Sequence, residues 1–473
     1  MSSQEKSLDT PSLTRSPFSR RVALGAFAAS AAALMPAPAW ALNDRRPGSA
    51  GPPRLSPNDR PVVAQVSAQR AVEHIIALSE GVGPRIGGTQ SEKDAADYIA
   101  GVLDGYGYTV DLEPFAVADK FLGQLTGSPA LPQDICWQVG ASPSGALDVT
   151  VRADAVDVGD NPAAYAGDLT GKVVLVDAAT AAQRNSRVPA AVARGAAAVV
   201  LLPADAADPI RRTSASSPTL SAATSVPVVA VAQVQKHRLR EALAAGSLEL
   251  TVETTAHRNL TSHNVLARRR GQLPSADDRQ VMVCAHYDSV IGAPGANDDG
   301  SGTGLCLELA RVLRALPTRA EVSFALWGSE EQGLIGSRYH VRQLDQARRD
   351  RLIGVFNNDM IATSWDPATR YWVLSFDGQP NIITSSVIGA AERLGYSPQL
   401  SPVTTRGASD HQSFQEVGIA SANFSWRGEA SPALLEPPYH SPEDTVAKNI
   451  SMERMQVSLE LIGAATYSVA RDG

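Results

Sequence analysis

An α/β fold, with a mixed but mostly parallel central sheet flanked by helices and a smaller α/β module inserted, is what this chain predicts. Three observations carry that reading. Short apolar runs at 281–285 (VMVCA), 321–327 (EVSFALW) and 352–356 (LIGVF) have the length and composition of buried strands. Helical spacing of Leu305, Leu309, Val312 and Leu313 separates the first two, as in a strand–helix–strand unit. Each run also stops at or near residues able to hold a metal or a proton, and open α/β sheets build sites at the carboxyl ends of their strands.

The first 41 residues read as an address rather than as structure. Ser19, Arg20 and Arg21 precede an apolar run over 22–35, and Ala39-Trp40-Ala41 supplies small residues for cleavage before Leu42. Such a run is too short to cross a bilayer as a helix. Paired arginines before a mild, Ala-rich segment mark twin-arginine export, so a bacterial periplasm or the medium is the expected destination. Losing four basic and two acidic residues with this leader moves the formal charge from −7 to about −9. That balance disfavours nucleic acid and anionic membranes as partners, and no later stretch is apolar enough to span a membrane. Cys136, Cys284 and Cys306 are too few for a disulfide framework. Buried thiols are expected, with a single Cys284–Cys306 bridge as the alternative.

Roughly 430 mature residues suggest two domains. Residues 42–60, rich in Pro, Gly and charge, form a linker. Over 61–127 the pattern predicts a helix at 62–80, the turn GPRIGGT at 83–89, a helix at 91–105 and a strand at 108–115. From 128 to 255 Ala and Val dominate: strands are expected at 172–177, 197–202 and 226–231, and helices at 190–195 and 234–244. This insert carries almost no polar constellation. Its segments GDLTGKVVLVD, ARGAAAVVLL and VPVVAVA resemble the protease-associated domain, a binding or lid module. The first texture returns over 256–473, with strands at 264–269 and at the three apolar runs, and a helix at 303–316 that Pro317 stops.

The chemistry-bearing residues gather at those strand ends. His286 and Asp288 stand two apart, and in an extended chain they share a side. An imidazole can then face a metal while the carboxylate orients its other nitrogen. Asp298 and Asp299 follow in a Gly-rich turn, and Glu330 and Glu331 come just after the second run. Adjacent glutamates point in different directions, so one can bind a metal while the other addresses a water. Asp359 closes the third run, and Tyr439-His440 lies in the Pro-rich loop EPPYHSPEDT. Nitrogen and oxygen donors without a thiolate suit zinc in a catalytic site. They are too many for one tetrahedral ion and fit two ions sharing one carboxylate.

The motifs AHYDS, GANDDGSG, GSEEQGLIGS, NNDM, SDHQSF and PYHSPEDT, in this order and spacing, resemble the co-catalytic two-zinc aminopeptidases that include the bacterial leucyl aminopeptidases. The resemblance covers 61–127 and 256–470 and implies the zinc exopeptidase fold. It implies two Zn2+ per chain with Asp298 as the bridge, His286 and Asp359 completing one site, and Glu331 and His440 the other. It makes Glu330 the general base, Asp288 the partner behind His286, Asp299 a support of the turn, and Tyr439 a candidate donor to the oxyanion. Peptides with a free N-terminus are the implied substrates.

Ser409, Asp410 and His411 invite a triad reading, but three consecutive residues cannot adopt the geometry of a nucleophile and its oriented base. In the family this segment borders the substrate pocket, so Arg406 and Asp410 become candidate substrate contacts. Some relatives carry an arginine directly before the motif, whereas Gly407 and Ala408 intervene here. The competing functions are a related zinc carboxypeptidase or dipeptidase, and a non-catalytic binding protein on the same fold. A binding protein is expected to lose a ligand or the base, yet all five ligand positions and Glu330 are present. An exported di-zinc aminopeptidase is therefore the leading reading, its pocket wall expected from loops around 361–380 and 400–436.

Overall fold

The structure is a computed structural model that describes residues 55–208, 211–275 and 278–472, so the segment expected to be an export signal and most of the expected linker lie outside the described residues. The chain enters through short helices. One helix was expected over 62–80, but Ser67 takes an extended conformation and its side chain accepts from the Arg70 amide. A cap of that kind starts a new helix, Ala68–Ile76, separate from Arg60–Val63, and its end loosens into a π-helix over Ala77–Val82. The helix Gln90–Gly105 then leads into strand β1 (Thr109–Val117).

Seven strands follow and close on themselves: β2 (Lys120–Ser128), β3 (Gln138–Ala141), β4 (Val149–Asp157), β5 (Val173–Asp177), β6 (Ala198–Leu202), β7 (Val228–Ala230) and β8 (Glu249–His257). They form a barrel in the order β2-β3-β7-β6-β5-β4-β8, filled by alternate residues such as Val173, Leu175, Val200, Leu202, Leu250 and Val252. The barrel begins at Lys120, ahead of the change in composition at 128. Helix Ala181–Ala193 is longer than the 190–195 segment expected, because a Thr180–Gln183 capping box starts it early and Pro189 sits inside it.

The main sheet resumes with β9 (Leu260–Arg269), β10 (Gln280–His286), β11 (Glu321–Trp327), β12 (Leu352–Asn358), β13 (Arg370–Ser375), β14 (Leu400–Thr405) and β15 (Ser421–Arg427). Its order is β1-β9-β11-β10-β12-β15-β13-β14. β9 pairs antiparallel with the whole of β1, so the barrel is inserted between two neighbours of the main sheet. The centre, β11-β10-β12-β15, is parallel, and antiparallel pairs flank it. Strand β10 is buried on both faces, as its unbroken apolar run requires. Val281, Val283 and Ala285 meet the core formed with helices Gly300–Leu313 and Met452–Asp472, while Met282 and Cys284 meet Trp327, Val341 and Phe414.

Strands β13, β14 and β15 occupy stretches read from the sequence as loops. In β14 and β15 buried serines disguise the apolar pattern: Ser401 Oγ accepts from the Val373 amide at 2.9 Å, and the Ser421 and Ser425 hydroxyls donate to the Val355 and Met360 carbonyls at 3.0 and 3.1 Å. The three cysteines are free thiols. Among the described residues no helix is long and apolar enough to cross a membrane.

Helix Gly300–Leu313 starts against the site-bearing loops with no room to spare. A Cβ on Gly302 would overlap the Asn358 carbonyl oxygen and the Asp299 carboxylate. Gly302→Ala is therefore expected to lower stability by about 2–3 kcal/mol, read as a lower denaturant midpoint. An unchanged midpoint would contradict the close approach.

Candidate active site

Parallel pairing of β10 with β11 and β12 puts three strand ends side by side. β10 ends at His286; β11 ends at Trp327, and the short 3-10 turn Glu330–Gln332 follows; β12 ends at Asn358, next to Asp359. Asp298 arrives from the turn before helix Gly300–Leu313, and His440 from the loop after β15. Asp298 stands between the two imidazoles: its Oδ1 is 3.2 Å from His286 Nε2 and its Oδ2 is 3.0 Å from His440 Nε2. Glu331 Oε2 lies 3.1 Å from His440 Nε2, and Glu330 and Asp359 lie 3.9 and 4.0 Å from His286 Nε2. The ligand atoms of His286, Asp298 and Glu331 fall within 4.8 Å of one another, as do those of His286, Glu330 and Asp359.

Each of these side chains is held from behind. Asp288, expected to orient His286, lies 3.4 Å from its Nδ1, and its carboxylate accepts from the Glu330 and Glu331 amides at 2.9 and 3.2 Å. It thus fixes the glutamate turn as well as facing the imidazole, which its spacing from His286 could not reveal. Asp299 caps the helix through the Gly302 amide at 2.8 Å and also accepts from the His286 and Met360 amides. Asp444 accepts from the amides of Asn297 and Asp298 at 3.0 and 3.1 Å. Two residues that sequence reasoning passed over complete the frame. The fully buried Arg85 donates to the carbonyls of Tyr287, Pro294 and Gly295. Glu92, buried on helix Gln90–Gly105, accepts from the Ser329 amide at 3.0 Å and holds the turn that leads to Glu330. A charged residue inside a glycine-rich turn was the one sequence signal for Arg85; Glu92 looked like an ordinary first-turn acid.

Burial and mutual repulsion dominate the electrostatics. Desolvation drives Glu330 well above the ordinary carboxylate range, His286 opposing and Asp410 and Glu331 adding to it. It also lifts Glu331 to about 7, against the pull of His440. His440 rises to about 11 because Glu331 and Asp298 outweigh the effect of burial, and His286 rises for the same reason through Glu330, Asp288 and Asp298. His440 Nε2, Glu331 Oε1 and Asp359 Oδ1 are buried with no hydrogen-bond partner. The imidazole nitrogen is near two carboxylate oxygens yet aligned with neither. Converging nitrogen and oxygen donors, excess negative charge and unpaired lone pairs fit divalent cations of the zinc type.

A cavity of about 240 Å³ opens over these residues, lined also by Leu334, Met360, Arg406, Arg427, Leu435 and Tyr439. Tyr439 is mostly buried, and its ring stacks on that of His440 at 3.7 Å. Arg406 reaches the cavity despite the two intervening residues. Asp410 is not among the lining residues: it is fully buried at the start of helix His411–Gln415. His411 bonds the Arg406 carbonyl at 2.7 Å and Ser409 accepts from Asn357, so SDH serves as scaffold. Ser329, Leu334, Met360, Ala408 and His440 have positive φ, the concentration of backbone strain expected where loops converge on a site.

Fold and donor set together define a metal-dependent hydrolase of the α/β class. Residues 264–466 match the pattern of Peptidase family M28. The Bacillus subtilis aminopeptidase YwaD is 34% identical over 85% of this chain and 85% of its own length. A Mycobacterium tuberculosis protein named "Probable lipoprotein aminopeptidase LpqL" is 30% identical over 81% of each. The solved structure of BSAP, a zinc aminopeptidase from Bacillus subtilis, aligns with a TM-score of 0.59 at 33% identity, covering 86% of this chain and 96% of that one. The chain belongs to peptidase family M28.

Behind Asp298 lies a buried ring in which Glu436 accepts from Asn297 and Asn449 at 2.6 and 3.2 Å. Burial, aided by Asp444, raises Glu436 to about 7. The folded state therefore holds this proton more tightly than the unfolded chain, and stability falls as pH rises from about 4.5 through 7. Glu436→Gln should flatten that part of the stability–pH curve by on the order of 2 kcal/mol, measured by denaturation between pH 5 and 8. Parallel curves for variant and wild type would show that Glu436 ionises without cost.

Proposed function

We propose that this chain is an exported zinc aminopeptidase that removes the N-terminal residue of peptides at a centre of two zinc ions. The observation that carries this reading is Asp298, whose two oxygens face two different imidazoles at 3.2 and 3.0 Å. A carboxylate so placed suits a bridge. His286 and Asp359 would complete one ion's ligands, and Glu331 and His440 the other's. Family membership and the aminopeptidase names of the relatives support the activity.

Zinc held by these residues would supply Lewis acidity to the scissile carbonyl and lower the pKa of a nearby water. Glu330 lines the cavity 3.9 Å from His286 Nε2, and as the general base it would take the proton of the attacking water and return it to the leaving amine. Its elevated affinity for a proton suits that shuttle. Tyr439 keeps its phenolic proton, since burial and the surrounding carboxylates hold its pKa above the usual range. Lining the cavity, it would donate to the oxyanion that forms on the carbonyl. The Asp288 and Glu92 contacts keep the base aimed.

The barrel is read as a protease-associated module that narrows access. Its Gln138 side chain accepts from the Gly292 amide at 3.1 Å, and Arg211 donates to the Ala433 carbonyl at 3.1 Å. For the leader, the paired arginines and the Ala-Trp-Ala cleavage pattern support twin-arginine export to the periplasm or medium.

Glu330→Gln should lower kcat by about 100- to 10,000-fold while zinc content is retained; near-normal turnover would remove Glu330 from the mechanism. Peptides with a free N-terminus should be cleaved and their N-acetyl forms should not. Equal cleavage of both, with release from the carboxyl end, would point instead to a carboxypeptidase.

A further inference from the structure

The cavity holds two guanidinium groups that the hydrolytic machinery does not use. Arg427, at the end of β15, is buried: its Nε donates to Ser425 Oγ at 3.0 Å and one terminal nitrogen to the Pro432 carbonyl at 2.9 Å. Both partners are neutral. Arg406 enters from the loop after β14, and its guanidinium has no hydrogen-bond partner and no carboxylate within 4.0 Å among the described residues. The charges of Arg427 and of a third arginine, Arg211 of the barrel, act on Arg406, opposed by the Asp359 carboxylate. Burial lowers the Arg406 pKa to about 10, which leaves it charged at neutral pH.

Like charges gathered with no paired carboxylate, and only the more distant Asp359 to oppose them, favour an anion placed among them. The carboxylates of the metal cluster do not fill that need. Those of Asp298, Glu330, Glu331 and Asp359 face the histidines, and two divalent cations would neutralise them. Leu334, Met360 and Leu435 give the same cavity an apolar wall. A cavity of about 240 Å³ with apolar sides and cationic corners fits one substrate residue bearing a carboxylate. Planar guanidinium groups match that anion through paired hydrogen bonds.

We propose that Arg406 and Arg427 form a carboxylate-binding subsite, so that the enzyme selects substrates presenting a carboxylate next to the scissile bond. The inference rests on the aminopeptidase reading above and adds a substrate class to it. The carboxylate has two sources: the side chain of an N-terminal Asp or Glu, or the C-terminus of a dipeptide.

A panel on the zinc-loaded full chain tests this. kcat/KM is measured for Glu-, Asp- and Leu-p-nitroanilide, and for Leu-Leu with a free or amidated C-terminus, on wild type and on Arg406→Gln. Preference for the acidic anilides assigns the subsite to the side chain; preference for the free dipeptide over its amide assigns it to the C-terminus. In either case Arg406→Gln should lower the ratio of carboxylate-bearing to neutral substrate about tenfold or more, and Arg406→Lys should recover part of it. Because Arg406 is only partly buried, the variant is expected to fold, and the wild-type preference needs no variant. Cleavage of Leu substrates without any carboxylate preference, or with ratios unchanged in Arg406→Gln, overturns the proposal and leaves the aminopeptidase reading intact. Absence of cleavage of every substrate with a free N-terminus overturns that reading instead.

Discussion

One buried carboxylate, Asp298, shared between two imidazoles sets the terms for the rest of this structure. It and its neighbours arrive from five separate segments: the ends of β10, β11 and β12, the turn before helix Gly300–Leu313, and the loop carrying His440. No single segment could hold this geometry. The parallel centre of the sheet brings three strand ends together, and the tight approach at Gly302 presses the helix start against Asn358. Behind Asp298, Asp444 holds its amide, and Asn297, Asn449 and Glu436 close a polar ring. Carboxylates packed so closely repel one another, and the buried charge of Arg85 offsets part of that repulsion. Arg85 spends its donors on backbone carbonyls and leaves the site's own oxygens free.

Much of this was legible in the sequence because the site residues sit where apolar runs stop. Strands β10, β11 and β12 are buried on both faces, so each reads as a largely apolar segment with a polar end. The functional residues then stand out as the first charges after silence. Strands β14 and β15 were lost because buried serines, each bonded to backbone, interrupt their pattern. The supports were lost for a different reason. Nothing in the spacing of Asp288 says that it accepts from amides some forty residues away, and Glu92 meets Ser329 across elements that the sequence does not order. Local pattern reports which residues end a strand; only the assembled sheet reports which ends are neighbours.

The barrel gives the cleft a second owner. It is inserted between β1 and β9, yet its Gln138 and Arg211 reach loops that border the cavity. Lys448 and Asp134 add an ion pair at 3.2 Å across the same junction. Exposed pairs of this kind are worth little individually, so the contact is better suited to orienting the barrel than to stabilising the fold. What the barrel contributes near the substrate is charge. Arg211 strengthens a cationic corner that Arg406 and Arg427 begin, while the metal-facing wall is acidic. The cavity is thus divided into a cation-binding half and an anion-binding half, which fits a substrate held at one end and cut at the other.

Anomalous diffraction at the zinc absorption edge, from crystals grown with zinc, tests the central claim most directly. The account predicts two peaks per chain on either side of the Asp298 carboxylate, one beside His286 and Asp359 and one beside Glu331 and His440. A single peak, or a pair in which Asp298 touches only one ion, would contradict it.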